Sequence, residues 1–252
     1  MTTKNWNSSS DWTHSSLYLI NDGTDFIKSC QFIATGEVFS SFGHIADFTT
    51  NDSCSDVSTP AITPLGSTSA IKAIYSAKYV SQTVNINTTN CFAMMGQYDT
   101  ALQNQALAMD LKNGVNRVAM LYWKGQGAAN DTIRYIAGSS AAVDTGVAVG
   151  INTDYLGIIQ PIWDGTKFAT ANFYVYSYNK TTKVFTSVWS LLNQALGTPQ
   201  VKVDTVKLSG PNTTAGAFVY YDNCQVSASS LLPAYPVAGN SATAQLTQID
   251  VS

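Results

Sequence analysis

The sequence predicts an all-β fold: an antiparallel β-sandwich of the jelly-roll type with one or two short helical turns. Three observations predict it. Short segments of strand length recur between Gly/Asn/Ser-rich turns, helical periodicity is scarce, and no internal repeat of fixed period breaks the chain into modules. A length of 252 residues suits a single sandwich. Hydrophobic residues make up 45% of the chain and aromatic residues 11%, enough apolar surface to close a two-sheet core. The domain is expected to span residues 1–228, with 229–252 as a C-terminal tail or arm.

Taken in chain order, residues 16–20 and 29–34 are the first strand candidates, followed by 71–76. Residues 79–87 (YVSQTVNIN) set Val80, Val84 and Ile86 against Tyr79, Ser81, Thr83 and Asn85, the alternation of a half-buried strand. Residues 101–109 fit helix or strand equally. Residues 118–123 (VAMLYW) are apolar on both faces, as in a covered central strand. In 145–151 Val147, Val149 and Ile151 oppose Gly146, Ala148 and Gly150, a smooth face against which something bulky could pack.

The next candidate is 156–159, which Pro161 either ends or places at an edge. Residues 171–178 (ANFYVYSY) put Phe173 and Val175 on one face and Tyr174, Tyr176 and Tyr178 on the other. Residues 188–196 are the best helix, with Val188, Leu191, Leu192 and Ala195 on one side and Gly197 and Pro199 as stop signals. In 201–208 the apolar phase slips between Val203 and Val206, which predicts a bulge at Asp204 or Thr205. The last candidate strand is 217–226.

Charge narrows the partners. Charged residues make up only 12% of the chain, the net charge is −3, and Arg117 and Arg134 are the only arginines. Phosphate recognition depends on positive charge and forked guanidinium donors, so the composition argues against nucleic-acid binding. The first residues lack the apolar core of a secretory signal, and no later stretch approaches a membrane span. The expectation is synthesis without a signal peptide, no membrane insertion, and residence in a virion or other extracellular assembly, or otherwise in the cytoplasm. Cys30, Cys54, Cys91 and Cys224 show no CxxC spacing and read as buried free thiols, with a disulfide left open.

The stretch 201–227, VKVDTVKLSGPNTTAGAFVYYDNCQVS, resembles the closing strands of concanavalin A-like jelly rolls, the lectin, glucanase and laminin-G-like superfamily. The matching residues are Val219, Tyr220, Tyr221, Asp222, Asn223 and Val226. The resemblance implies a two-sheet jelly roll and a glycan as ligand. Glycosidases of that superfamily carry clustered acidic residues on one strand, two of them serving as nucleophile and acid/base. Here Glu37 is the only glutamate, and no Asp-x-Asp or Glu-x-Asp falls on a predicted strand.

Candidate site residues follow from aromatic spacing. Tyr174, Tyr176 and Tyr178 could stack on sugar faces, and Trp163, just before the Asp164-Gly165 turn, could anchor a binding loop. The plainer readings are cross-strand tyrosine pairs and a tryptophan at the rim of the core. Asp47, Asn51, Asp52 and Asp56 gather oxygen ligands of the kind calcium takes, but at no EF-hand spacing, and an Asn/Asp turn accounts for them equally well. No cofactor or metal is expected. His14 and His44 have no nucleophile signature beside them.

Three functions stand in order. The first is a non-catalytic structural or assembly protein, such as a decoration, coat or fibre subunit of a virus or phage particle, with other protein subunits as partners. The second is a carbohydrate-binding lectin-like module, and the third a polysaccharide hydrolase or lyase.

Overall fold

The computed structural model describes residues 18–19, 30–31, 39–42, 45–57, 70–74, 78–98, 105–124, 131–181, 184–210 and 218–227. The expected tail, His14, His44 and the Cys30 side chain lie outside them.

These residues form an all-β sandwich. The strands are β1 (Tyr18–Leu19), β2 (Cys30–Gln31), β3 (Phe39–Phe42), β4 (Thr50–Asp52), β5 (Ser55–Val57), β6 (Ala70–Ile74), β7 (Tyr79–Ile86), β8 (Cys91–Tyr98) and β9 (Gln105–Asn113). There follow β10 (Asn116–Lys124), β11 (Asp131–Ala137), β12 (Val143–Val149), β13 (Asp154–Trp163), β14 (Phe168–Asn179), β15 (Val184–Gln200), β16 (Val203–Ser209) and β17 (Phe218–Ser227). The helical content among the described residues is one 3-10 turn, Ile45–Asp47. One sheet has seven strands in the order β12-β11-β10-β9-β16-β7-β4. The other has eight, β15-β14-β13-β8-β17-β6-β5 with β3 also on β17, while β1 and β2 form a separate ribbon. Every pairing is antiparallel.

The core lies between the two large sheets. Leu107, Leu111, Val118, Leu121 and Trp123 from the seven-stranded sheet meet Phe92, Met94, Ile159, Phe173 and Val175 from the eight-stranded one. Burial of this apolar surface is the main stabilising contribution. One polar clamp crosses the core. The fully buried Tyr221 hydroxyl on β17 accepts the Ala108 N–H at 2.7 Å and donates to the Ser209 carbonyl at 2.5 Å, so a residue of one sheet ties two strands of the other.

Several sequence expectations hold. Val80 is buried with Val84 and Ile86 packed behind it, as the alternation of β7 requires. β10 is buried on both faces and lies between β9 and β11. The pairing of β16 with β7 does shift register between Val203 and Thr205, but the extra residue lies on β7 and not at Asp204 or Thr205 as expected. Cys54, Cys91 and Cys224 are buried thiols that form no disulfide. Among the described residues no helix is long and apolar enough to cross a membrane.

Three expectations are corrected. Residues 188–196 are strand, the middle of β15, and not helix. β15 shifts register against β14 three times. Of the four apolar residues that suggested a helix face, Val188 and Leu191 pack on the core whereas Leu192 and Ala195 are exposed, so the spacing does not correspond to a shared face. Pro161 does not end its strand, because β13 continues to Trp163 and pairs Pro161 with Ala171. Beyond Ile159 the β8 partner has run out, so the missing proline N–H falls on a locally unpaired side. The glycine face of β12 is not packed at Gly146: a Cβ there would meet nothing within 4 Å, and the residue is glycine because its φ is +72°.

Candidate functional site

The tyrosine row is real but closed. Tyr174, Tyr176 and Tyr178 project from β14 away from the core, onto the outward face of the eight-stranded sheet. Tyr176 and Tyr178 are 8% and 6% exposed, and Tyr174 is half-buried. They pack with Cys91, Ala93, Met95, Leu156, Ile158 and Phe185 into a second apolar cluster. The Tyr178 and Phe185 rings lie 4.8 Å apart. The expected open sugar platform is therefore corrected to a packed layer. Burial raises the phenol pKa values of all three tyrosines. Trp163 lies at the core rim, edge-on to Phe168 with centroids 5.2 Å apart.

The same face holds two carboxylates, each 1% exposed. Asp154 accepts a 2.7 Å hydrogen bond from Gln97 and pairs with Lys180 at 3.3 Å. Burial raises its pKa, with Lys180 and Gln97 opposing. Asp222 sits two strands across and one row along, about 12 Å away between Cα atoms at ordinary sheet spacings. Met95 and Gln97 stand on the strand between them. These are groups held inside the protein, with no exposed surface toward a substrate.

The loop around Asp52 is spent on structure. Asn51 Oδ1 accepts the Cys54 N–H at 2.8 Å and Lys78 pairs with Asp52 at 3.1 Å. The Asp56 carboxylate accepts the Ile45 N–H at 2.9 Å. These bonds fix the corner where the chain passes from β4 in one sheet to β5 in the other. Among the described residues no three His, Cys, Asp or Glu side chains gather as a metal site would need.

An open site lies elsewhere, at one end of the sandwich. The β9–β10 and β11–β12 turns and the end of β15 enclose a cleft of about 300 Å³, lined by Lys112, Val115, Asn116, Arg117, Gly138, Ser139, Ser140, Thr198 and Gln200. Its walls come from both sheets. The β9–β10 turn is fixed by the Gly114 N–H donating to Asp204 at 2.8 Å. The β11–β12 turn is fixed by the Gly138 N–H donating to the Val118 carbonyl at 2.9 Å. Gly138 has a φ of +66°, and a Cβ there would lie 2.7 Å from the Thr198 nitrogen, so only glycine lets this turn press against β15. The contact brings the Ser139 and Thr198 hydroxyls to 2.5 Å of one another. Gln200 is buried at the base, accepting from Asn113 at 3.0 Å and donating to the Thr198 carbonyl at 3.3 Å.

The chemistry of this cleft is hydrogen bonding. Hydroxyl and amide side chains both donate and accept, and Val115 is the one branched aliphatic residue in the lining. No Asp, Glu, His or Cys lines it. The sequence signals were weak: turn residues at 113–116, 138–140 and 197–200, each ordinary alone.

No protein-family model matches the chain, and no curated protein matches it. Solved structures do. The carbohydrate esterase of Shiga toxin-encoding bacteriophage phi24B is 12% identical with a TM-score of 0.46, covering 77% of this chain and 90% of that one. The cellulose-induced protein Cip1 is 12% identical with a TM-score of 0.47, covering 79% and 93%. The CBM2 module of the evolved Dit of Lactobacillus casei BL23 phage J-1 is 10% identical with a TM-score of 0.41, covering 88% and 100%. Similar folds host unrelated functions, so what those proteins bind or cleave remains a property of each of them.

Proposed function

We propose that this protein is a non-catalytic carbohydrate-binding β-sandwich whose ligand seats in the end cleft. The observation that carries this reading is the lining itself: Ser139, Ser140, Thr198, Asn116 and Gln200 around a rigid, glycine-built turn, with no acid or base for hydrolysis. Sugar hydroxyls need partners that both donate and accept, and a volume of about 300 Å³ suits a single sugar residue better than a large apolar ligand. A glycan array probed with the purified protein tests it. Binding to a defined set of glycans, weakened in the Ser139→Ala/Thr198→Ala double variant, is expected; a wild-type protein that binds no glycan would contradict the reading.

A second reading, a subunit of a larger assembly, is favoured by β15. This strand is 17 residues long, carries no charged side chain, and has no strand on its outer edge among the described residues. Exposed edges usually carry charge against self-association. Sedimentation distinguishes the two: a species near 27.0 kDa argues against assembly, and large particles argue for it.

A further inference from the structure

The cleft is unusual for this chain in its charge. Of only 13 Lys and Arg residues in the sequence, Lys112 and Arg117 line the cleft, and no carboxylate does. Arg117 is oriented by Asp110, which accepts from its Nε at 2.7 Å and its Nη2 at 2.9 Å. This leaves Nη1 of the guanidinium to face other partners. Lys112 is half-buried and has no carboxylate partner among the described residues. Lys207, opposite Asp110 in the register of β16 and β9, adds a third cation to this neighbourhood. Burial lowers its pKa, Lys112 and Arg117 lower it further, and Asp110 and Asp52 oppose them.

We infer that the cleft selects an acidic sugar residue, one bearing a carboxylate or a sulfate, which Lys112 and the free edge of Arg117 contact while the Ser139, Thr198 and Asn116 side chains take its hydroxyls. This rests on the carbohydrate-binding reading above and deepens it. The geometry favours an anion for a physical reason. A half-buried lysine with no ion-pair partner is stabilised by an incoming anion through a charge-assisted hydrogen bond. A neutral sugar would leave Lys112 as it is.

The test is titration calorimetry with tetragalacturonate, its fully methyl-esterified form, dextran sulfate and a neutral dextran oligomer, on the wild-type protein and on Lys112→Met. Methionine keeps most of the stem's length and apolar packing, and thermal melting checks that it folds. The expected result is binding of the carboxylated or the sulfated probe, with affinity falling as salt rises. Lys112→Met should lose about tenfold or more, as for one charge-assisted hydrogen bond. The preference between galacturonate and dextran sulfate identifies which acid group fits. Tight binding of the neutral or esterified probe, unchanged in Lys112→Met, overturns the acidic-sugar inference and leaves the carbohydrate-binding reading standing. Failure of all four probes, together with a blank glycan array, would remove both.

Discussion

The outward face of the eight-stranded sheet and the end cleft both carry residues suited to sugars, yet only one of them is open. The outward face has three tyrosines, two carboxylates and the amide side chains of Gln97, Gln160 and Asn172, but the tyrosines are packed into an apolar cluster, both carboxylates are buried, Gln97 is bonded to Asp154 and Asn172 to Gln160. The cleft has no aromatic residue at all, but its hydroxyls and cations meet solvent. Residue type alone does not mark a binding platform. What matters is whether the fold leaves the side chains a free surface, and that depends on packing around the sheet rather than on the strand's own sequence.

Substituting the closed face sharpens this contrast most. Tyr176→Ala should destabilise the fold by about 3 kcal/mol, as for other large-to-small changes in packed layers, measured by urea denaturation. The folded fraction should keep the glycan affinity of the wild type. A variant that stays fully stable and loses sugar binding would return the site to the tyrosine row.

A smaller effect concerns Asp154, whose carboxyl lies above its ordinary value because it is buried, despite Lys180 and Gln97. In the folded protein it holds its proton to a higher pH than in the unfolded chain, where the pKa is about 3.9. Between those two values the folded state binds more protons, so stability falls as pH rises through the window and stays lower above it. Asp154→Asn should remove that component and leave the protein more stable than wild type at neutral pH, read as a higher melting temperature. A variant less stable than wild type at pH 7 and indifferent to pH would show that the Lys180 pair outweighs burial.

Cys91 reports on the same face, and Cys54 on the main core. Burial pushes the Cys54 and Cys91 thiols up to about 12, so at pH 8 almost none is thiolate, and attack requires the thiolate. Iodoacetamide should leave both unmodified in the native protein and label both after denaturation, as mass spectrometry would detect. Rapid native labelling of Cys91 would mean that the tyrosine face opens. The smallest expected effect is on stability in Ser139→Ala/Thr198→Ala, within about 0.5 kcal/mol for solvent-exposed positions. A larger loss would mean that the hydroxyl pair holds the β11–β12 turn and not a ligand.

How much of this could be read from the sequence depended on how local the signal was. The alternation in β7 and the two-faced apolar run of β10 each lie within one strand and hold in the structure, whereas the phase slip at Asp204 marked a register shift whose extra residue is on the neighbouring strand β7. Val188, Leu191, Leu192 and Ala195 misled because their helix-like spacing corresponds to no shared face in β15: Val188 and Leu191 pack on the core, and Leu192 and Ala195 are exposed. Tyr174, Tyr176 and Tyr178 were placed on the correct face, but their burial depends on packing that their own spacing does not encode. The cleft was missed because its walls come from turns up to some eighty residues apart, and nothing in 112–117, 138–140 or 198–200 by itself says that they meet.

Hydrogen–deuterium exchange with and without a glycan identified on the array tests the central claim most directly. Binding at the end cleft predicts ligand-dependent protection in peptides covering 112–117, 138–140 and 197–200, with no change in 172–178. Protection confined to 172–178 would contradict it, and would place the ligand on the tyrosine face instead.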